Sequence, residues 1–487
     1  MVTELWQSLN HYWPEITAVS TVINVILSII FIAWIISVKK DPMSAWAWCL
    51  TVLLLPYFGA FLFLMLGYQH IDRPLRRKRR HRAAYRVQIE GKPDIEAGEH
   101  PQLEGAWLGM ARLASRLDAS PPSSGNHVEL YSEGQPAYDG KFAAIAEAKH
   151  HIHLEYFIIQ PDECGRQFFE VLAEKARQGV EVRVLYDAMG SYRLTNKMIR
   201  PLVNAGAKCR AFLPLNILRR RIQVNMRNHR KILIVDGKIA FTGGLNLGEE
   251  YLCKSRHFGY WRDTHMRIDG PAVADLQRIF SEDWHFATNE LIHGAPYFPR
   301  VDKCGDHLVQ VVHSGPDQQV KSIREIYFAA IMRARKRLWI SSPYFVPDSG
   351  LLGALCLAAR LGVDVRFLGL SKPDKWLPYL AGRYYWNDAL EAGVRVFQYR
   401  KGMMHSKVML VDDAWASVGT ANLDNRSLYL NFEVNCLFYD AGLVAKLAAD
   451  FERDLENSSE LMKEEYDRRP FVLKLAENFA RLLSPVL

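Results

Sequence analysis

A chain of 487 residues, 49% hydrophobic and 23% charged, can bury a large core in two or three domains, which excludes an intrinsically disordered protein. The net charge of +8 is concentrated in RPLRRKRRHR (73–82), whose seven Arg and Lys leave about +1 elsewhere and argue against a nucleic-acid partner. Seven scattered cysteines, odd in number and without a C-x-x-C pair, exclude a disulfide framework and a zinc ribbon.

The first elements in chain order are apolar. Residues 16–38 and 45–66 are uncharged runs, each long enough to cross ~30 Å of hydrocarbon as a helix, with Pro56 as a kink in the second. They predict a two-helix transmembrane hairpin within residues 1–72. No Lys or Arg precedes Lys39, so a cleaved signal peptide is not expected. The seven cations after the second span outweigh Lys39 and Lys40 between the spans, which predicts a multi-pass protein with its large part in the cytoplasm. The basic stretch should then lie against anionic headgroups.

After a basic and polar connector (73–125), the chain repeats itself. Residues 127–158 and 307–346 share a pattern of strand, loop, helix, strand and Tyr-Phe, and each is followed by an amphipathic helix, a Gly stop and an alternating strand (168–187 and 351–370). A period near 180 residues is too long for a solenoid. It predicts a duplicated α/β domain, 126–295 and 307–470, with a mixed sheet and the halves packed face to face about a pseudo-twofold axis. The cluster KHHIH (149–153) runs into a strand without a carboxylate or cysteine at ligand spacing, so no metal or other cofactor is expected.

Each half closes on one motif. NHRKILIVDGKIAFTGGLN (228–246) and MHSKVMLVDDAWASVGTANLD (404–424) place a histidine and a lysine at i and i+2 at the head of a buried strand: His229 with Lys231, and His405 with Lys407. Asp236 and Asp412 complete the spacing H-x-K-x4-D; with the other parity they should anchor the turn rather than react. Gly243 and Gly419 should let backbone N–H groups approach an anion, while Asn246 and Asn422 donate amide hydrogens to it. Joined across the duplication, these groups make a phosphate site with a built-in nucleophile: one imidazole attacks phosphorus and the other moves the proton. Asp263 (34 residues after His229) and Glu433 (28 after His405) lie on following strands and suit the orientation of the rings.

Two copies of H-x-K-x4-D, each followed by G-x-x-N, resemble the phospholipase D superfamily. That resemblance implies two phospholipase D-like domains forming one active site without an essential metal. NHRK, WRDTHMRIDGPAV, SGPD, SPYFVPD, the paired apolar runs and the tail RPFVLKLAENFARLLSPVL are similar to the bacterial cardiolipin synthase family. The resemblance implies transfer of a phosphatidyl group from one phosphatidylglycerol to another with release of glycerol, at a bacterial inner membrane. A hydrolase, a transferase to another alcohol and an inactive lipid-binding scaffold remain open alternatives, as does a homodimer.

Three further segments bear on lipid access. LNILRRRIQVNMR (215–227) mixes apolar residues with Arg219, Arg220 and Arg221, and KWLPYLAGRYYW (375–386) carries five aromatics. The tail (471–487) places Phe471, Leu475, Phe479, Leu482 and Leu483 on one helical face and Lys474, Glu477, Asn478 and Arg481 on the other, which predicts an interfacial helix, with docking of the apolar face on the protein as the open alternative.

Overall fold

The computed structural model describes residues 2–39, 42–67, 72–90, 103, 105–214, 225–255 and 259–487. It divides into two compact units, Met1–Arg77 and Lys78–Leu487. In the first, α1 (Val2–Val38) contains a 22-residue apolar stretch, Thr17–Val38, long enough to cross a membrane by length and composition. Its Val22, Ile26, Ile29 and Ile36 are exposed, as lipid-facing side chains would be. The second apolar run is divided. α2 (Pro42–Leu54) ends before Pro56, which has no N–H to continue the helix; α3 (Pro56–Leu62) resumes, and a π-helical turn, Phe63–Gly67, follows. The 13 residues of α2 alone reach only ~20 Å, so one long apolar helix and a broken second run stand where two equal spans were expected. Phe31, Ile35, Val52, Ala60 and Phe63 pack α1 against them.

α4 (Asp72–Glu90) carries the basic stretch. Its cations do not all face outward: Lys78 is buried, pairs with Asp283 and lies 4.7 Å from the ring centre of Phe432. Arg79 donates to the carbonyl of Asp317, and Arg82 pairs with Asp118 and Glu282. For these three residues the expectation of headgroup contact is wrong: Asp283 takes the charge of Lys78, Asp118 and Glu282 that of Arg82, and Arg79 spends its guanidinium on a backbone carbonyl. α5 (Gly105–Arg116) follows.

The first half consists of β1 (Ser123–Tyr131), α6 (Gly134–Glu147), β2 (His151–Tyr156), α7 (Glu163–Arg177), β3 (Glu181–Asp187), α8 (Asn196–Asn204), β4 (Lys208–Phe212), β5 (Ile232–Val235), β6 (Ile239–Gly243), β7 (Tyr260–Arg262), β8 (His265–Asp269) and α9 (Val273–Thr288). Residues 289–306 lead to the second half without helix or strand. That half begins with β9 (His307–Ser314), α10 (Ser322–Arg333), β10 (Arg337–Ser341), β11 (Phe345–Val346), α11 (Ser349–Arg360), β12 (Asp364–Leu370), α12 (Trp376–Glu391) and β13 (Arg395–Tyr399). It ends with β14 (Gly402–Met404), β15 (Val408–Val411), β16 (Trp415–Gly419), β17 (Leu423–Asp424), β18 (Glu433–Phe438), α13 (Ala441–Glu456), β19 (Ser458–Leu461), α14 (Lys463–Asp467) and α15 (Phe471–Arg481).

Among the described residues, fifteen strands form one sheet. From its middle outward the first half runs β1-β8-β6-β5-β2-β3-β4 and the second β9-β18-β16-β15-β10-β12-β13, with β19 added at the edge. The two orders coincide position by position, which is duplication seen in three dimensions. The halves meet edge to edge, β1 pairing antiparallel with β9, rather than face to face. An antiparallel seam between equivalent strands generates the local twofold. In each half three strands are parallel (β2, β3, β4 and β10, β12, β13), joined through helices, and the motif strands pair antiparallel beside them. His153 of the KHHIH cluster stacks on Phe280, ring centres 4.5 Å apart, inside the first half.

Candidate active site

The buried runs ILIV and VMLV form β5 and β15, and the motif histidines and lysines stand just before them. They are therefore not strand residues sharing a face, as their i, i+2 spacing suggested. Each lysine instead curls back on its own histidine: Lys231 Nζ donates to the His229 carbonyl at 2.7 Å, and Lys407 Nζ donates to the His405 carbonyl. Both ammonium groups are buried, and the side chains of His229 and His405 are 10% and 12% exposed.

What places the rings is the opposite half. The His229 N–H donates to the Phe432 carbonyl at 2.9 Å, and Asn228 bridges to Phe432 in parallel. Correspondingly, β14 pairs in parallel with β7, and the His405 N–H donates to the Arg262 carbonyl at 2.7 Å. Each histidine thus lies beside the residue that precedes the other half's carboxylate. The ring nitrogens follow: His229 Nδ1 meets Glu433 Oε2 at 2.9 Å, and His405 Nδ1 meets Asp263 Oδ2 at 2.7 Å. Asp263 and Glu433 each hydrogen-bond a histidine ring, but the ring belongs to the other half. With both Nδ1 atoms engaged, Nε2 is the nitrogen left for substrate among the described residues.

The two pairs are electrostatically unequal. Burial, with Lys231, Lys407 and His405 nearby, holds His229 well below the usual imidazole range; burial and Lys407 push His405 down to about 4 against the pull of Asp263. Burial would raise Asp263, but Lys407 and His405 outweigh it and keep this carboxylate below its ordinary value. Glu433 is different: burial pushes it up to about 7 against Lys231 and its hydrogen bonds. Lys407 Nζ also lies 3.0 Å from His405 Nδ1. The ionised Asp263 needs the proton on Nδ1, so we read that contact as charge proximity and the carbonyl as the hydrogen-bond acceptor of Lys407. Burial lowers Lys231 to about 7 and Lys407 to about 8.

The two carboxylates also differ in their immediate neighbours, although the Thr420 bond lowers Glu433 rather than raising it. Gly244 and Thr420 occupy equivalent positions after β6 and β16. A Cβ on Gly244 would stand 1.8 Å from Asp263 Oδ1, so glycine is what lets this carboxylate in. The Thr420 hydroxyl instead donates to Glu433 Oε2 at 2.5 Å. Gly243 and Gly419 do not match the expectation of anion approach, because their missing side chains make room for the neighbouring strand: Cβ atoms there would meet Thr264 O at 2.6 Å and Asn435 Oδ1 at 2.3 Å.

Asn246 and Asn422 are buried beyond these turns. Asn246 accepts from the Ile158 N–H at 3.1 Å and donates to the Tyr251 hydroxyl at 3.0 Å; Asn422 donates to Asp424 at 3.1 Å. Among the described residues, each amide therefore spends one hydrogen on the protein and keeps its second. Asp236 and Asp412 belong to the turns, at φ +52° each. Asp236 accepts the N–H groups of residues 149, 150 and 151, and Asp412 those of 335, 336 and 337, which ties each motif hairpin to the strand beside it. Both carboxylates are thus spent on their hairpin turns.

Several site residues carried no clear sequence signal. Phe157 and Trp261 flank His229 and His405, with ring centres 4.9 Å and 5.3 Å away. The Tyr-Phe repeat and YWRD contained them, but aromatic residues beside a strand read equally as core. Lys375 adds its charge to the surroundings of His229. Residues 215–224 of the proposed headgroup-facing segment lie outside the described residues.

The family profile described as "Cardiolipin synthase, PLD-like domain" matches residues 142–284 and 327–455, and "Phospholipase D-nuclease N-terminal" matches 26–67. Cardiolipin synthase of Geobacillus kaustophilus (strain HTA426) is 42% identical over 464 residues, 94% of this chain and 92% of that protein. Cardiolipin synthase of Staphylococcus aureus (strain Mu50 / ATCC 700699) is 40% identical, covering 95% and 98%. Among solved structures, phosphatidylserine synthase of Haemophilus influenzae Rd KW20 superposes with a TM-score of 0.60 at 18% identity, over 78% of this chain and all of that one, a likeness of fold.

Proposed function

Because this chain belongs to the cardiolipin synthase family with paired phospholipase D-like domains, we propose that its crossed histidine–carboxylate pairs transfer a phosphatidyl group between two phosphatidylglycerol molecules. The observation that carries the reading is the pairing of each histidine with the other half's carboxylate, which leaves two imidazole Nε2 atoms and two lysines for one phosphodiester. His229 attacks phosphorus through Nε2 and forms a phosphohistidine. His405, taking up a proton on Nε2 as the anionic substrate binds beside it, gives that proton to the departing glycerol oxygen, then as a neutral ring accepts the hydroxyl proton of the second phosphatidylglycerol as that oxygen displaces His229. Asp263, held ionised, stabilises the imidazolium that His405 becomes, and this is why the proton-moving role falls to His405. Lys231 and Lys407, joined by the free amide hydrogens of Asn246 and Asn422, meet the charge growing on the phosphoryl oxygens, a task that metal ions perform in many phosphoryl transferases.

Products identify the reaction. Purified full-length protein in detergent with phosphatidylglycerol alone should yield cardiolipin and glycerol by mass spectrometry, with or without excess EDTA. Phosphatidic acid as the only lipid product would mean hydrolysis, and loss of turnover in EDTA restored by one divalent ion would overturn the charge assignment. The basic residues after the second apolar run support a cytoplasmic site and a multi-pass anchor. A cysteine engineered at the exposed Leu361 should then resist a membrane-impermeant thiol reagent in intact cells and react after lysis.

A further inference from the structure

α15 is amphipathic, yet it docks by the wrong face. Glu477, 1% exposed, is clamped between Arg383 of α12 and Arg469 at 2.7 Å each. Beside it, the buried Ala480 packs in a small cluster with Val346 and Ala381. The opposite stripe points away from the protein: Phe471, Val472, Leu475, Phe479 and Leu482 are 58% to 76% exposed. A helix held to a water-soluble body normally buries its apolar stripe and solvates its charges. Here the carboxylate is inside and the phenylalanines are outside, which is stable only if something apolar covers them.

Two observations say what covers the stripe. The first is charge: Lys474 and Arg481 flank the apolar stripe, Arg481 resting 4.4 Å from the ring centre of Tyr384 with its charge still at the surface, Arg468 is exposed one turn before the helix, and the single acid of the helix is already neutralised by its two arginines. Long cations flanking an apolar stripe suit anionic headgroups above buried acyl chains. The second is continuity with the site. Trp376, 67% exposed, lies two turns before Arg383 on the same face of α12, and Lys375 beside it contributes to the field at His229. Residues after α15 hold the chain that leads to Glu433, through Asn425 Nδ2 to Ser484 O at 3.1 Å and Arg426 N to Leu487 O at 2.7 Å.

We propose that α15 and the first turn of α12 form a docking surface for an anionic lipid bilayer, holding the mouth of the active site against its substrate. This rests on the reading of the substrate as a membrane phospholipid, but the test does not depend on turnover. Full-length protein lacking the exposed Cys253 and Cys304 and the partly exposed Cys49 (each changed to Ser) would carry one new cysteine at Leu475, Phe479 or Leu361, labelled with an environment-sensitive dye. It would be placed in nanodiscs of phosphatidylcholine with or without phosphatidylglycerol, containing nitroxide-labelled lipid.

Labels at 475 and 479 should be blue-shifted and quenched with phosphatidylglycerol, and the label at 361 should not. No quenching at 475 and 479, equal quenching at 361, or quenching indifferent to phosphatidylglycerol would each overturn the proposal. Shielding that tracks protein concentration without lipid would instead identify a second copy of the chain as the occupant. The double substitution Leu475→Ser with Phe479→Ser touches only exposed side chains, so folding should hold. It should lower turnover of bilayer phosphatidylglycerol about tenfold or more while sparing a short-chain substrate below its micellar concentration. Equal loss on both substrates would also refute the docking role.

Discussion

Replacing Asp263 with Asn removes one negative charge at 2.7 Å from His405 and leaves the shape of the side chain. At an effective dielectric of ~20, a carboxylate and an imidazolium at that separation attract by about 6 kcal/mol. Part of this is already present with a neutral ring, as a charge-assisted hydrogen bond contributing about 1.5–3 kcal/mol. The difference, about 3–4 kcal/mol, is lost only when His405 takes a proton, so transfer between phosphatidylglycerols should fall by about two to three orders of magnitude. Phosphatidyl-p-nitrophenol has a leaving group that needs no proton, so Asp263→Asn should still give one rapid burst of nitrophenol and a denaturation-stable phosphatidyl adduct. Glu433→Gln acts on His229 and should slow both reactions. Combined with His405→Ala, Asp263→Asn should cost little more, because it works through that ring. A burst lost in Asp263→Asn but kept in Glu433→Gln, or full additivity with His405→Ala, would refute the crossed assignment.

Other outcomes follow from single residues. Lys231 and Lys407 sit near 7 and 8, so both lose charge as pH rises through those values and kcat/KM for the anionic lipid should fall. Lys231→Arg should move that alkaline limb upward; a limb that stays in place would assign it to another group. Their folded pKa values lie below the unfolded ones, so these lysines favour folding more as pH climbs from about 7 toward 10.5, and activity and stability should diverge with pH. Asp236→Ala removes the acceptor of three backbone N–H groups and should lower unfolding stability by about 2–3 kcal/mol in chemical denaturation with the nitrophenol burst intact; a lost burst at full stability would return Asp236 to the site. Gly244→Ala places a methyl against Asp263 and should abolish transfer in a folded protein, whereas Gly353→Ala, with nothing within 4 Å, should be silent in the same activity assay.

The sequence alone determined the family and the duplicated α/β architecture. Duplicated H-x-K spacing, G-x-x-N turns and two strand–helix repeats are local patterns, and each is set by neighbours a few residues away. The long apolar helix was legible for the same reason, since a span depends only on composition and length. Tertiary structure decided what those patterns touch. His229 and Glu433 are 204 residues apart, and no periodicity reports that the two carboxylates exchange histidines; the parallel bridges beside Phe432 and Arg262 do so. Lys78 looked like a headgroup ligand until Asp283 stood opposite it. The amphipathic tail was plain in the sequence, but its direction was not. A helical pattern says only that two faces differ; the buried Arg383–Glu477–Arg469 clamp decides which face the protein keeps, and turns the apolar one outward.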